Sequence, residues 1–227
     1  MQLTWYGHAA FLLENNASFR VILDPYRSPG VGTYAPIDDW ADLVAISHQN
    51  ETYHSFVQGI RGRDGDSIPI LMDGLKLLTQ NQPQLVEKIP FTATEVYENE
   101  ERKEPIAMVG VTMDGLCILH MGDCGHKLSA EETAACGAAD VLLALAGGAP
   151  TLALPDLVAF IENLQPKIVI PMHFGNDKIN LNLRPLPDFL TLLPETIPIR
   201  HFDSPTISLS RSDLPQSTEV WVLPSAR

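Results

Sequence analysis

His120-Met121-Gly122-Asp123-Cys124-Gly125-His126 is the stretch on which the reading of this chain turns. It comes after the apolar Cys117-Ile118-Leu119, so His120 falls at the carboxyl end of a strand, and two glycines then make a sharp turn that leaves Asp123 little steric cover. Two further histidines occupy the same kind of position. His48 comes after Leu43-Val44-Ala45-Ile46-Ser47, and His173 after Ile168-Val169-Ile170-Pro171-Met172. Carboxyl ends of strands open into the crevice where ligands bind, on loops held by a rigid base. One such histidine is ordinarily a hydrogen-bonded structural residue. Three of them with a carboxylate make a candidate site for Zn²⁺, Mn²⁺ or Fe²⁺, which imidazole and carboxylate ligands suit. The other reading of Asp123 is a cap on the turn just after it.

On either side of this stretch, the chain reads as many short strands and few helices. Met1-Tyr6, Ala10-Glu14 and Phe19-Leu23 are strands separated by turns at Gly7-His8 and Asn15-Asn16, an antiparallel opening. Leu43-Ile46, Ile68-Leu71, Phe91-Glu95, Ile106-Met113 and Leu116-Leu119 continue the pattern, with Asp114-Gly115 as a hairpin signal. Helices then alternate with buried strands. Ser129 to Cys136 opens on a capping box and is ended by Gly137, Asp140-Leu145 is a strand, Pro155-Leu164 a helix and Lys167-Ile170 a strand. Such an order predicts mixed sheets packed together with helices outside.

Composition narrows the function classes. The 227 residues are 45% hydrophobic and carry a formal net charge of −13, which argues against a nucleic-acid groove or an anionic membrane surface, since both need clustered Lys and Arg. No apolar stretch reaches the roughly 20 residues that span a bilayer, and Met1-Gln2-Leu3-Thr4-Trp5 lacks the pattern of a signal peptide, so a cytoplasmic location is expected. Cys117, Cys124 and Cys136 form no C-x-x-C pair and are read as reduced thiols, Cys124 as a small filler in its turn. The sequence leaves a homo-oligomer open.

Trp5-Tyr6-Gly7-His8, Leu23-Asp24-Pro25-Tyr26, Ile46-Ser47-His48, the 120–126 stretch, Ala146-Gly147-Gly148 and Ile170-Pro171-Met172-His173-Phe174 together resemble the metallo-β-lactamase superfamily. Within it they are similar to the compact group that includes ascorbate-6-phosphate lactonase and other zinc-dependent hydrolases. The resemblance implies an α+β fold, a four-layer αβ/βα sandwich over residues 1–227 as one domain, with its site at one edge between the sheets. It also implies a metal motif His-x-His-x-Asp-His, from which this chain departs. The motif here reads His48-Gln49-Asn50-Glu51-Thr52-Tyr53, with His54 one place late. Asn50 offers only an amide oxygen, Thr52 replaces a carboxylate and Tyr53 a histidine, and His54 stands in only if the loop carries a one-residue shift. Where relatives carry a further histidine upstream of Gly-Asp, this chain has Tyr97-Glu98-Asn99, and Glu98 is read as a solvated loop residue.

The resemblance and the departures together imply a hydrolase of a small-molecule phosphoester, lactone or related bond, with a weakened site. At most one divalent ion, zinc or manganese, is expected on His48, Asp123 and His173 with His54 or Asn50. His126 is a candidate proton donor beside Asp123, and His8, Asp24 and His120 are expected to support the site without touching the ion. Restoring Asn50→His and Thr52→Asp is expected on this reading to strengthen metal retention. The alternative is a degenerate, metal-free binding or structural protein on the same fold.

Overall fold

β1 (Gln2–Gly7), β2 (Ala10–Glu14) and β3 (Arg20–Leu23) form the expected antiparallel opening, with Trp5 opposite Phe11 and Phe11 opposite Leu23. The computed structural model in which they are seen describes residues 1–80 and 82–227. β4 (Leu43–Ile46) and β5 (Ile70–Asp73) add to β3 in parallel, and β13 (Thr206–Ser208) closes the other edge beside β1. This sheet buries both of its faces, and the period-2 alternation of side chains sorts them. Phe11, Leu13, Val21, Leu23, Leu43 and Ala45 belong to the core between the sheets. The intervening Ala10, Leu12, Ile22, Val44 and Ile46 face a second cluster completed by Tyr26, Val31, Tyr34, Ile37 and Ile60. That outer layer is made of loop segments between β3 and β5 and not of an α-helix.

The second sheet has eight strands. β6 (Gln84–Val86), β7 (Ile89–Tyr97), β8 (Pro105–Met113) and β9 (Leu116–His120) run antiparallel. β10 (Val141–Leu145), β11 (Ile168–Met172), β14 (Glu219–Val222) and β12 (Ile199–His201) continue from β9 in parallel. The parallel strands β10 and β11 are buried throughout, as unbroken apolar runs should be. α2 (Ala130–Ala135) joins β9 to β10 and starts on the capping box: the Glu132 N–H donates to Ser129 Oγ at 3.1 Å, and the Ser129 N–H to Glu132 Oε2 at 2.8 Å. α3 (Leu154–Leu164) joins β10 to β11 and buries Leu157, Phe160 and Ile161.

Some boundaries differ from expectation for physical reasons. β5 begins two residues late because Ile68, 86% exposed, lies beyond the pairing, and it ends in Asp73, whose carboxylate caps the short helix α1 (Gly74–Leu77). β11 runs on to Met172, which puts His173 at the first position past the sheet. The tail contributes three short strands that carry no clear apolar alternation, β12 and β13 at sheet edges and β14 one place in from an edge. Among the described residues no helix is long and apolar enough to cross a membrane.

Candidate metal centre

Strands from both sheets end at one edge of the molecule, and each delivers a polar side chain there. β1 leads into His8, β3 into Asp24, β4 into Ser47 and His48, and β7 into Glu98, while β9 ends on His120 just before Asp123 and β11 leads into His173. His8, Asp24 and His173 adopt left-handed backbone, with φ of 49°, 41° and 52°. Non-glycine residues rarely do so, at a cost of roughly 1–3 kcal/mol each, and such positions persist where the surrounding fold fixes them. Here the fixing contacts are visible. The His173 N–H and the Trp5 indole both donate to the His8 carbonyl, at 3.0 and 3.1 Å.

His54 lies at the middle of the group. One nitrogen each of His8, His54 and His173 lie within 4.8 Å of one another, and the same holds for ligand atoms of His48, His54 and Asp123. His54 Nε2 is 2.9 Å from Asp123 Oδ2, and His173 Nε2 is 3.2 Å from Asp123 Oδ1. Yet His54 Nε2, His48 Nε2, Asp123 Oδ1, His173 Nδ1 and both nitrogens of His8 are buried without a hydrogen-bond partner. The atoms approach closely but off the lines along which N–H bonds would point. Buried polar atoms are almost always paired, so a convergent set of unpaired ones calls for a common partner at its centre. Imidazole nitrogens and a carboxylate are suitable ligands for a divalent transition ion, and the residues present fit one. Asp123 keeps 18% of its side chain exposed, the least enclosed member of the group beside the buried histidines.

The neighbouring groups fix the tautomers. The His54 Nδ1–H donates to Asp24 Oδ2 at 3.0 Å, because a carboxylate only accepts, and this leaves Nε2 to face the centre. Asp24 also accepts from the Ser47 N–H at 2.7 Å and from the Ser47 hydroxyl at 2.6 Å. With its proton committed there, Ser47 Oγ accepts from His48 Nδ1–H at 2.9 Å, turning His48 Nε2 inward. Asp24 is thus a positioning residue for both histidines. His120 is fully used by the fold: its Nε2–H donates to the Ala9 carbonyl at 2.8 Å and its Nδ1 accepts from the Gly122 N–H at 3.0 Å. It ties the end of β9 to the turn that carries His8.

Electrostatics result from this packing. Burial above all, with His173 and His54 nearby, holds His8 well below the usual histidine range, and burial likewise lowers His120 and His173. Burial would lower His54 too, but the carboxylates of Asp123 and Asp24 on its two sides outweigh it and push it up to about 10. Burial would raise Asp123, and His54 and His173 outweigh that and hold it well below the carboxylate range.

Other sequence expectations find different occupations. Asn50 turns its amide oxygen back to the Tyr53 N–H at 3.3 Å, and its carbonyl takes the N–H groups of Tyr53, His54 and Ser55. A tight turn thus forms where an extended strand would have pointed residues 48 and 50 the same way, and this turn supplies the shift that brings in His54. Thr52 faces Gly30, and the Tyr53 ring lies against His8 with centroids 5.6 Å apart. His126 is buried away from the group, its Nδ1 3.2 Å from the Tyr97 carbonyl and its Nε2 3.1 Å from Glu132 Oε1. Glu98, read from sequence as a solvated loop residue, instead places Oε1 3.0 Å from His48 Nε2, and contact with His48 lowers its pKa. The signal that could have found it is its position just past the end of β7.

Gly147 shows how tightly β11 is held. A Cβ there would overlap the His173 carbonyl. Gly147→Ala is expected to lower stability by about 1–3 kcal/mol, in the range of overpacking, and thermal unfolding beside the unmodified protein measures it.

The profile of the beta-lactamase superfamily domain matches residues 2–173. A metal-dependent hydrolase of the UPF0173 group from Archaeoglobus fulgidus is 25% identical over 195 residues, covering 77% of this chain and 84% of the relative. One from Pyrococcus furiosus is 27% identical over 196 residues, covering 77% and 85%. Among solved structures, a proposed zinc-dependent hydrolase of the metallo-beta-lactamase superfamily from Thermotoga maritima superposes with a TM-score of 0.74 at 25% identity, over 98% of each chain. On the extent of that profile match, and with the two-sheet sandwich it predicts, the chain belongs to the beta-lactamase superfamily.

Proposed function

We propose that the protein is a metal-dependent hydrolase that uses one divalent ion, zinc or manganese, on a phosphoester, lactone or related bond of a small molecule. The observation that carries this is the convergence of buried, unpaired ligand atoms on one centre. The names of the Archaeoglobus and Pyrococcus relatives support it. His54, Asp123 and His173 would hold the ion, with a further ligand from a histidine beside His54. A bound ion supplies Lewis acidity and makes water a nucleophile at neutral pH. Around it the chain's own groups have separable tasks. Asp24 holds the proton on His54 Nδ1 and so keeps Nε2 facing inward. Glu98, beside His48, is the carboxylate at hand to take a proton, a task His126 is turned away from.

The competing reading, a metal-free binding protein, is favoured by one feature. A protonated His54 between Asp24 and Asp123 offsets one of the two carboxylate charges and bridges both without any ion. Elemental analysis of protein purified without added metal or chelator, with hydrolysis assays on phosphoester and lactone panels, separates the two. One equivalent of metal and a chelator-sensitive hydrolysis are expected. No metal and no hydrolysis would give the case to the metal-free reading.

A further inference from the structure

We propose that His8 is a metal ligand, and that the ion sits on the His8 side of the cluster, held by His8, His54, His173 and Asp123, with His48 outside its coordination. The inference rests on the metal-dependent reading and specifies its ligand set. His54 is the reason a choice exists. It belongs to both three-residue groups, but its Nδ1 is committed to Asp24 at 3.0 Å, and the remaining nitrogen has one lone pair. One ion can therefore use it from one side only.

The two sides are not equivalent. His48 is paired at one nitrogen, Nδ1 with Ser47 Oγ at 2.9 Å, and its Nε2, though without an aligned hydrogen bond, has the Glu98 carboxylate 3.0 Å away. His8 is paired at neither nitrogen, although only 1% of it is exposed. Leaving a buried polar group unpaired costs about 1–3 kcal/mol, so an ion that takes the lone pair of one His8 nitrogen would remove one of these costs, the other nitrogen keeping its N–H. The backbone is also committed to this placement. His8 is in the left-handed region, its carbonyl is gripped by Trp5 and His173, and its neighbour Gly7 leaves no room for a Cβ beneath the Tyr34 ring.

Geometry completes the set. The His8 ring centroid is 4.3 Å from that of His173 and 5.1 Å from that of His54. Asp123 turns one oxygen toward each of those two partners. Three imidazoles and one carboxylate form a ligand set that zinc accepts. His8 thereby supplies a nitrogen donor that the loop after β4 lacks at Asn50 and Tyr53.

The test is titration of the metal-free full chain with Zn²⁺, monitored by calorimetry, and with Co²⁺, monitored by visible absorption. His8→Asn and His48→Asn are compared with the unmodified protein. Asparagine tolerates the left-handed backbone at position 8, and unfolding of each metal-free variant checks that it folds. The unmodified protein is expected to bind one equivalent. His8→Asn should weaken binding by more than about 100-fold, beyond the roughly 10–100-fold that supporting residues give, and should change the Co²⁺ spectrum. His48→Asn should stay within about tenfold of the unmodified protein, below that same range. One equivalent bound by His8→Asn within tenfold of the unmodified affinity overturns the inference and leaves the hydrolase reading intact. So does a larger loss in His48→Asn than in His8→Asn. An unmodified protein that binds neither ion removes both.

Discussion

Replacing His54 with alanine is expected to abolish metal retention and to destabilise the metal-free protein by about 3–5 kcal/mol, the cost of removing one partner from a buried charge cluster. Asp24 and Asp123 lose their shared neighbour in that variant, and Asp24 is almost wholly buried. His54→Gln separates the two effects. Its amide can still donate to Asp24, so much of the stability should return, whereas a neutral amide is a poor zinc ligand and retention should not. Denaturant unfolding and elemental analysis of both variants make the measurement. Metal held by His54→Ala at the native level would remove His54 from the centre.

The central place of His54 was only half legible in the sequence. A histidine one residue late in a metal motif is a shifted ligand or a bystander, and the choice depends on the loop's path. That path is set by Asn50, whose carbonyl and side chain gather the next N–H groups into a tight turn. The restoration Asn50→His and Thr52→Asp, reasonable for an extended strand, would here remove only the side-chain contact to the Tyr53 N–H, leave the backbone bonds of the turn in place so that position 50 stays turned away, and set a carboxylate against the Gly30 loop. It is expected not to raise metal affinity, which the same Zn²⁺ titration checks.

Strand-end histidines were legible because apolar runs are local. Leu43–Ile46 and Ile168–Met172 are continuous in sequence, and the residues just past them must emerge at a sheet edge. His8 was expected beside the site as a support but not with its ring turned into the cluster, and Glu98 was not expected there at all. His8 sits in a turn between antiparallel strands, where a polar residue needs no special account, and only the left-handed backbone and the grip of Trp5 and His173 aim it inward. Glu98 opens a charged stretch that reads as solvated, and it reaches His48 only because β7 and β4, from different sheets, end side by side. The short tail strands escaped because each pairs at or near a sheet edge, where little alternation is required.

Apparent metal affinity is expected to rise about tenfold per pH unit from near neutrality toward pH 10, with close to one proton released per ion bound. The cause is His54. Asp123 and Asp24 overcome its burial and raise its pKa to about 10, so at pH 7 the nitrogen an ion needs carries a proton. The departures of the motif suggest a weak site for want of ligands, whereas a His54 proton competing with the ion would weaken it with no ligand missing. The same shift sets the stability of the metal-free protein. Because the folded pKa of His54 lies above its unfolded value, its contribution is complete below about pH 6.5 and is lost as pH rises toward 10. His8, His120 and His173 are shifted the other way, so their contribution is present above about pH 6.5 and is lost as pH falls below it. Stability of the metal-free protein should therefore peak near neutrality and decline on both sides, while the metal-bound protein, in which the ion replaces the His54 proton, should lose the alkaline decline. Denaturant unfolding across pH 5 to 10, with and without Zn²⁺, reads both curves. A metal-free protein as stable at pH 10 as at pH 6.5, or zinc binding without proton release at pH 7, would show that His54 is neutral in the fold and that weak retention, if found, has another origin.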